Sequence, residues 1–199
     1  MKHYLMVDLG TGNSRVALVD SDGGILGLRT YTNVYHRDSA YEDGQYFLPE
    51  DWAALLLQGC RELCREHPDI QVDAVSAAGA RQSFVLLDGN GRAFLGLPNI
   101  DNRGRAYMAQ VPEHDEIYRL SGKWATEDFG AAKLLGLRMQ HPEQYEAVES
   151  VLSLSEWIAW IFTGRKVMEY TQACESQLYD IGQRSWSQTL CSFYGLRPE

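Results

Sequence analysis

The first residues with the types and spacing for chemistry are Asp8-Leu9-Gly10-Thr11-Gly12-Asn13-Ser14-Arg15. Two glycines let a backbone turn tightly and approach a ligand. The N–H groups freed in such a turn can cradle phosphate oxygens. Asp8, at the end of an apolar run, could hold Mg²⁺ through water, because that ion favours carboxylate and water oxygens. Thr11, Asn13 and Ser14 add short polar side chains within reach of a phosphate. A Rossmann loop needs a third glycine and a following helix, whereas Val16-Ala17-Leu18-Val19 favours a strand. A Walker loop needs G-K-[ST], which does not follow. A phosphate-binding β-hairpin remains. On this segment alone, a plain hairpin closed by glycines explains the residues equally well.

Other reactive side chains are scattered. The five histidines, His3, His36, His67, His114 and His141, have no metal-ligand spacing. Lys133 sits among apolar residues in a helical stretch, where a lysine snorkelling to the surface competes with a place near substrate. Trp157 and Trp160, at helical spacing, read as core rather than as a sugar-stacking platform. Cys60, Cys64, Cys174 and Cys191 contain no C-x-x-C pair and read as reduced thiols of a cytoplasmic protein.

These residues need elements to hold them. Tyr4–Leu9, Arg15–Asp20 and Ile25–Tyr31 read as three sequential antiparallel strands, with Ser21-Asp22-Gly23-Gly24 as a turn. Leu48-Pro49-Glu50-Asp51 opens a helix in which Trp52, Leu55, Leu56 and Leu63 recur at helical spacing until Pro68. Val72–Ala78 reads as a buried strand, followed by Gly79-Ala80-Arg81-Gln82. Ser83–Leu87 and Ala93–Leu95 flank the hairpin turn Asp88-Gly89-Asn90-Gly91. Glu113–Leu120, Ala131–Gln140 and Ser155–Phe162 read as helices, the last stopped by Thr163-Gly164. The order predicts an α/β domain with a mixed sheet.

Composition bounds the partners. The 199 residues are 45% hydrophobic and 23% charged, enough for one domain with a real core. A net charge of -9 repels nucleic acid and anionic membranes, so neither is an expected partner. ATP, also an anion, would have to bind at local N–H groups, a positive side chain or Mg²⁺. Trp157–Phe162 is too short to span a bilayer, and the start at Met1-Lys2-His3-Tyr4 lacks a signal-peptide pattern.

Taken together, the segments resemble the FGGY carbohydrate kinases, which share the actin-like (ribonuclease H-like) ATPase architecture. Asp8 through Arg15 is similar to that family's D-x-G-T-x-x-x-R phosphate hairpin. Val75 through Ser83 resembles its sugar-contacting strand and turn, and Val85-Leu86-Leu87-Asp88 through Gly91-Arg92 its V-L-L-D-x-x-G hairpin. Asn99-Ile100-Asp101-Asn102-Arg103 resembles its W-x-D-x-R element. Tyr118 through Gly122, Ala132 through Leu135, Ser155 through Gly164, and Leu178-Tyr179-Asp180 with Trp186 follow in the family's order. The ordered set, covering nearly the whole chain, carries the resemblance. It implies ATP-dependent phosphorylation of a sugar or polyol hydroxyl, with ATP and Mg²⁺ as cofactors and a small-molecule sugar as partner. A homodimer is the expected assembly. Asp8 would order Mg²⁺ and its water; Gly10, Thr11, Gly12 and Asn13 would wrap the phosphates, and Arg15 would add positive charge. Arg81, Gln82 and Asp101 would bind sugar hydroxyls, which need rigidly held donors and acceptors.

The departures limit the detail. Ala80 stands where many members have Gln, Asn99 replaces the usual Trp, and Glu156 replaces the usual Asp. Arg81-Gln82-Ser83 is nearer the R-E pair of glycerol and autoinducer-2 kinases than the xylulose type's M-H-G. An aromatic contact used by glycerol kinases would fall near Asp128-Phe129, where no Tyr stands. The autoinducer-2 and xylulose types are the nearest expected relatives. The family's catalytic Asp lies beyond Leu196-Arg197-Pro198-Glu199, so no catalytic residue is expected in this chain. Residues 1–199 are expected to be an N-terminal domain, incomplete at its C-terminal end and without the second, nucleotide-completing domain. Such a chain would be a truncated form, a split gene product or a degenerate reading frame. Two other classes compete: an inactive sugar-binding or regulatory module, and an actin-like ATPase of the assembly or chaperone type. Gly79–Ser83 and Asn99–Arg103 argue against the latter because they point to a small-molecule pocket.

Overall fold

The computed structural model of the protein describes residues 1–197; Pro198 and Glu199, the last residues of the expected domain, lie outside the described residues. The chain opens with β1 (His3–Leu9), β2 (Asn13–Asp20) and β3 (Ile25–Thr32), paired antiparallel in sequence order. The period-two pattern is visible in their burial. Leu5, Val7, Leu9, Val16 and Leu18 are buried, while Met6 and Arg15 are exposed. A small hairpin follows, β4 (His36–Asp38) with β5 (Gly44–Tyr46), which the sequence pattern did not reveal.

Helix α1 (Pro49–Glu66) starts with Pro49 and the acidic pair Glu50 and Asp51, and buries Trp52, Leu56, Cys60 and Leu63. Proline's fixed φ and the helix dipole favour that start. The chain then returns through β6 (Ala74–Gly79), which pairs parallel with β1 and gives the order β3-β2-β1-β6. The sheet is therefore mixed, as expected. One expectation needs correcting: β6 is an edge strand with Ala74, Val75 and Ser76 exposed, not a buried one.

A second sheet, β8-β7-β9, is antiparallel throughout and is made of β7 (Phe84–Leu87), β8 (Ala93–Leu97) and β9 (Ser150–Ser153). All four residues of β7 are buried. Val85 and Leu87 join a core with Leu5, Leu9, Leu18, Leu63 and Trp157, whereas Leu86 joins another with Leu97, Ile117, Leu135 and Leu190. The first core lies between the opening sheet, α1 and α5 (Leu154–Thr163). The second is enclosed by α2 (His114–Ser121), α3 (Gly130–Gln140), α4 (Pro142–Glu146) and α7 (Gln188–Phe193). A 3-10 turn, Arg105–Gln110, leads into α2. Helix α6 (Tyr170–Glu175) and the short pair β10 (Tyr179–Asp180) and β11 (Ser185–Trp186) complete the described chain.

The ends of β6 and α5 meet closely. A Cβ on Gly79 would stand 2.6 Å from Leu154 Cβ, so no side chain fits there without movement. Gly164, at φ 67°, caps α5 as the sequence predicts.

Candidate active site

Because β1 and β6 run parallel in register, with Leu9 opposite Gly79, the loops that leave them emerge side by side. The Ala80 N–H donates to Leu9 O at 2.8 Å and extends that ladder into the loops. One loop is Gly10–Gly12 and the other carries Arg81 and Gln82.

The Gly10–Gly12 turn is held from the segment just after β3. Asn33 Nδ2 donates to Gly10 O at 2.7 Å and to Thr11 O at 3.2 Å, and Tyr35 donates its hydroxyl to Thr11 O at 2.5 Å. Ser14 Oγ donates to Asn33 Oδ1 at 2.6 Å, which fixes the orientation of that amide. In a trans peptide the C=O and the next N–H point opposite ways. With both carbonyls turned toward Asn33 and Tyr35, the Thr11 and Gly12 N–H groups point away from them. Thr11 and Gly12 are exposed, and a Cβ on Gly12 would touch nothing within 4 Å. Asn33 and Tyr35 escaped the sequence reading, since a single Asn after a strand carries no signal of a partner about twenty positions away.

Asp8 and Arg15 face each other across β1 and β2 and form an ion pair at 2.9 Å. Both side chains are about half exposed, 51% and 45%. An exposed pair of this kind is worth only ~0–1 kcal/mol, so either partner can be drawn to a stronger one. Asn13 begins β2, with its carbonyl accepting from the Gly10 N–H at 3.0 Å. Gly10 is the constrained glycine, since a Cβ there would lie 3.1 Å from that same carbonyl.

A contact across 88 positions joins the hairpin to the second candidate segment: Asn99 Nδ2 donates to Thr11 Oγ1 at 3.0 Å. The Asn99 N–H in turn donates to Ser83 Oγ at 2.9 Å, which ties in the Arg81-Gln82-Ser83 loop. Gln82 takes a left-handed φ of 60°, uncommon for a residue with a side chain. The Arg81 side chain is 75% exposed, with Nη1 3.9 Å from Glu175 Oε1.

Asp101 lies elsewhere. It is fully buried, with Oδ2 accepting from Arg103 Nε and Oδ1 from the Gln45 N–H, both at 2.8 Å. Burial pushes its carboxyl above the ordinary range, while Arg103 and Lys133 pull it back. Lys133 is not a snorkelling surface lysine but fully buried. Its Nζ donates to Pro98 O at 2.5 Å and Asp101 O at 2.9 Å, pinning the strand-end segment that carries Asn99. Burial lowers this lysine to about 8 against the pull of Asp101. The signal was present in α3 itself: Gly-Ala-Ala-Lys-Leu-Leu-Gly-Leu is apolar all round, the mark of an enclosed helix. Arg103 is buried as well, 4.9 Å from the Tyr41 ring centroid and 3.7 Å from Asp38.

Among the described residues no cluster of three or more His, Cys, Asp or Glu could by itself hold a metal ion. No helix among them is long and apolar enough to cross a membrane. All four cysteines are free thiols. Trp157 is core, as expected.

Comparison with known proteins places this arrangement. Residues 3–199 match the family model described as "FGGY family of carbohydrate kinases, N-terminal domain". A Bacillus subtilis (strain 168) protein named as a sugar kinase, YoaC, is 39% identical over 198 residues, 99% of this chain and 40% of that protein. The autoinducer-2 kinase of Salmonella choleraesuis (strain SC-B67) is 28% identical over 208 residues, 99% of this chain and 39% of its own. In fold, the chain is similar to a xylulose kinase from Rhodospirillum rubrum, with a TM-score of 0.87, 18% identity and coverage of 99% of this chain and 42% of that one. A Plasmodium falciparum glycerol kinase with ADP gives a TM-score of 0.85 at 16% identity, covering 98% and 41%. The chain thus spans about 40% of the length of the curated relatives it matches. With an actin-like α/β fold and the family match running from residue 3 to its end, this chain belongs to the FGGY family of carbohydrate kinases and corresponds to their N-terminal domain.

Proposed function

We propose that this chain supplies the phosphate hairpin and part of the sugar site of a kinase that phosphorylates a sugar or polyol hydroxyl with ATP. The observation that carries this reading is the parallel pairing of β1 with β6, which sets the Gly10–Gly12 turn beside the Arg81-Gln82 loop at one end of the sheet. Ligands of α/β sheets collect beyond the carboxyl ends of the strands, where such loops meet. The Thr11–Asn99 bond then joins a phosphate-facing residue to the sugar-facing segment.

The residues present fit magnesium–ATP. The outward N–H groups of Thr11 and Gly12 form an anion-binding concavity of the kind that cradles phosphates. A single half-exposed carboxylate, Asp8, suits Mg²⁺, which keeps several waters and takes its remaining ligands from phosphates. When bound, the metal neutralises charge on the phosphates during transfer. The chain's own part is positioning: Gly10, Thr11, Gly12 and Asn13 hold the phosphates, Arg15 offers a cation, and Asp8 orients the hydrated metal. Arg81 and Gln82 bind hydroxyls, and Asp101 supports them through the Pro98–Arg103 segment. The base that takes the hydroxyl proton belongs to the remainder of the kinase, as does the second nucleotide-binding domain. The acceptor is a sugar, the assembly a homodimer and the setting the cytoplasm.

Asp8→Asn tests the reading in the whole kinase. The amide cannot neutralise the metal, so sugar-dependent ATP hydrolysis falls at least a hundredfold, on the order of the loss of one electrostatic group at a transfer site. Wild-type turnover in that variant would remove the phosphate-hairpin argument. The 199 residues by themselves should show no phosphotransfer, and measurable turnover from them would mean that the base has been misplaced.

A further inference from the structure

Glu175, at the end of α6, stands outside every segment the sequence singled out. Its residue is 5% exposed, and its two oxygens are treated unequally. Oε1 accepts from Lys123 Nζ at 3.1 Å and lies 3.9 Å from Arg81 Nη1. Oε2 is buried with no hydrogen-bond partner. A buried carboxylate oxygen left unpaired is costly, so such an atom calls for a donor. The exposed Arg81 side chain lies within reach of the same carboxylate. Its Nη1 stands 3.9 Å from Oε1, and turning the guanidinium so that it also donates to Oε2 would convert a loose ion pair into a forked one.

The surroundings of Glu175 are rigid. Gln177 is fully buried at φ 61°, and its Nε2 donates to Lys123 O at 3.0 Å and Trp124 O at 2.9 Å. Its Oε1 accepts from the Tyr194 hydroxyl at 2.5 Å. Lys123 lies 5.2 Å from the Phe129 ring centroid. The Ala131 N–H donates to Ser176 O at 2.7 Å, which locks α6 against the start of α3. A left-handed residue held by this many bonds is an over-determined position, the usual setting of a residue that must not move. Arg81, by contrast, follows an edge strand and precedes the left-handed Gln82.

We propose that Glu175 is a positioning residue of the sugar site: it holds the Arg81 guanidinium in one orientation against the substrate's hydroxyls, with Lys123 fixing the carboxylate from behind. The inference rests on the kinase reading above and names how that site selects its acceptor. Free Arg81 would sample many rotamers; Arg81 forked to Glu175 presents a fixed set of donors, which favours acceptors whose adjacent hydroxyls match it.

The test is a double-mutant cycle in the whole kinase, with autoinducer-2, D-xylulose, gluconate and glycerol as acceptors. E175Q keeps the shape and removes the charge. The best acceptor's KM should rise about ten- to a hundredfold, the range for a lost charge-assisted hydrogen bond, with the KM for ATP unchanged. Because Glu175 acts through Arg81, the R81A/E175Q double variant should be no worse than R81A. Losses that multiply in the double variant, or a KM for ATP that rises in step, would overturn the assignment. If E175Q fails to melt cooperatively, the cycle is read with E175D, which keeps the charge one methylene short and must likewise add nothing to R81A. Turnover by the wild type of no member of a broad panel of sugars and polyols that includes these four would instead overturn the kinase reading itself.

Discussion

Replacing Asp101 with Asn separates a substrate contact from a buried strut. The Asp101 side chain is fully enclosed, with Arg103 Nε on Oδ2 and the Gln45 N–H on Oδ1, both at 2.8 Å. An Asn in its place has one oxygen and one NH₂ for two donors. In either orientation the NH₂ meets an N–H, and the Arg103 guanidinium is left buried with Lys133 close by and only the looser Asp38 carboxylate, 3.7 Å away, as counter-charge. Breaking a buried pair from one side costs about 3–5 kcal/mol. In a domain of this size a kilocalorie is worth about 2–4 °C in Tm, so D101N should melt about 6–20 °C lower. The assay is thermal and urea unfolding followed by circular dichroism. Removing both partners, in D101N/R103M, should recover part of the loss, because the Arg103 charge is no longer buried without its partner. A D101N melting curve that overlays the wild type would refute the strut and return Asp101 to the substrate.

Two further outcomes test the scaffold. Lys133 is held at about 8 in the folded chain against an ordinary 10.5, so between those values the unfolded chain binds a proton that the folded chain does not. Stability therefore rises with pH across that window, by about 3 kcal/mol from this group. Urea midpoints of the wild type should climb relative to K133M from about pH 8 to pH 10.5, and parallel curves would contradict the buried ammonium. Gly79→Ala places a Cβ 2.6 Å from Leu154 Cβ and should cost ~1–3 kcal/mol, read as a lower urea midpoint; an unchanged midpoint would mean that β6 and α5 are not locked together.

The legible parts of the fold were those where local chemistry and tertiary demand agree. Alternation in β1 and β2, the turn Ser21–Gly24, Pro49 at the start of α1 and Gly164 after α5 each act within a few residues. The hairpin β4–β5 and strand β9 are three or four residues long, too short for periodicity to register. Strand β6 reads as buried because it is apolar; its place at the sheet edge depends on which strands pair, which no local pattern records. The same division runs through the site. The Asp8–Arg15 hairpin announces itself by glycines within one turn. Asn33 and Glu175 matter through partners that are far away in sequence, and their types alone are ordinary.

Strand β7 belongs to both cores at once, giving Val85 and Leu87 to one and Leu86 to the other. It is a party wall: emptying either side would lay bare side chains that the strand now buries. The two halves of the chain should therefore share one fate on heating and melt in a single step. The backbone of Arg81, Gln82 and Ser83 hangs from the near end of that wall and shares its anchorage.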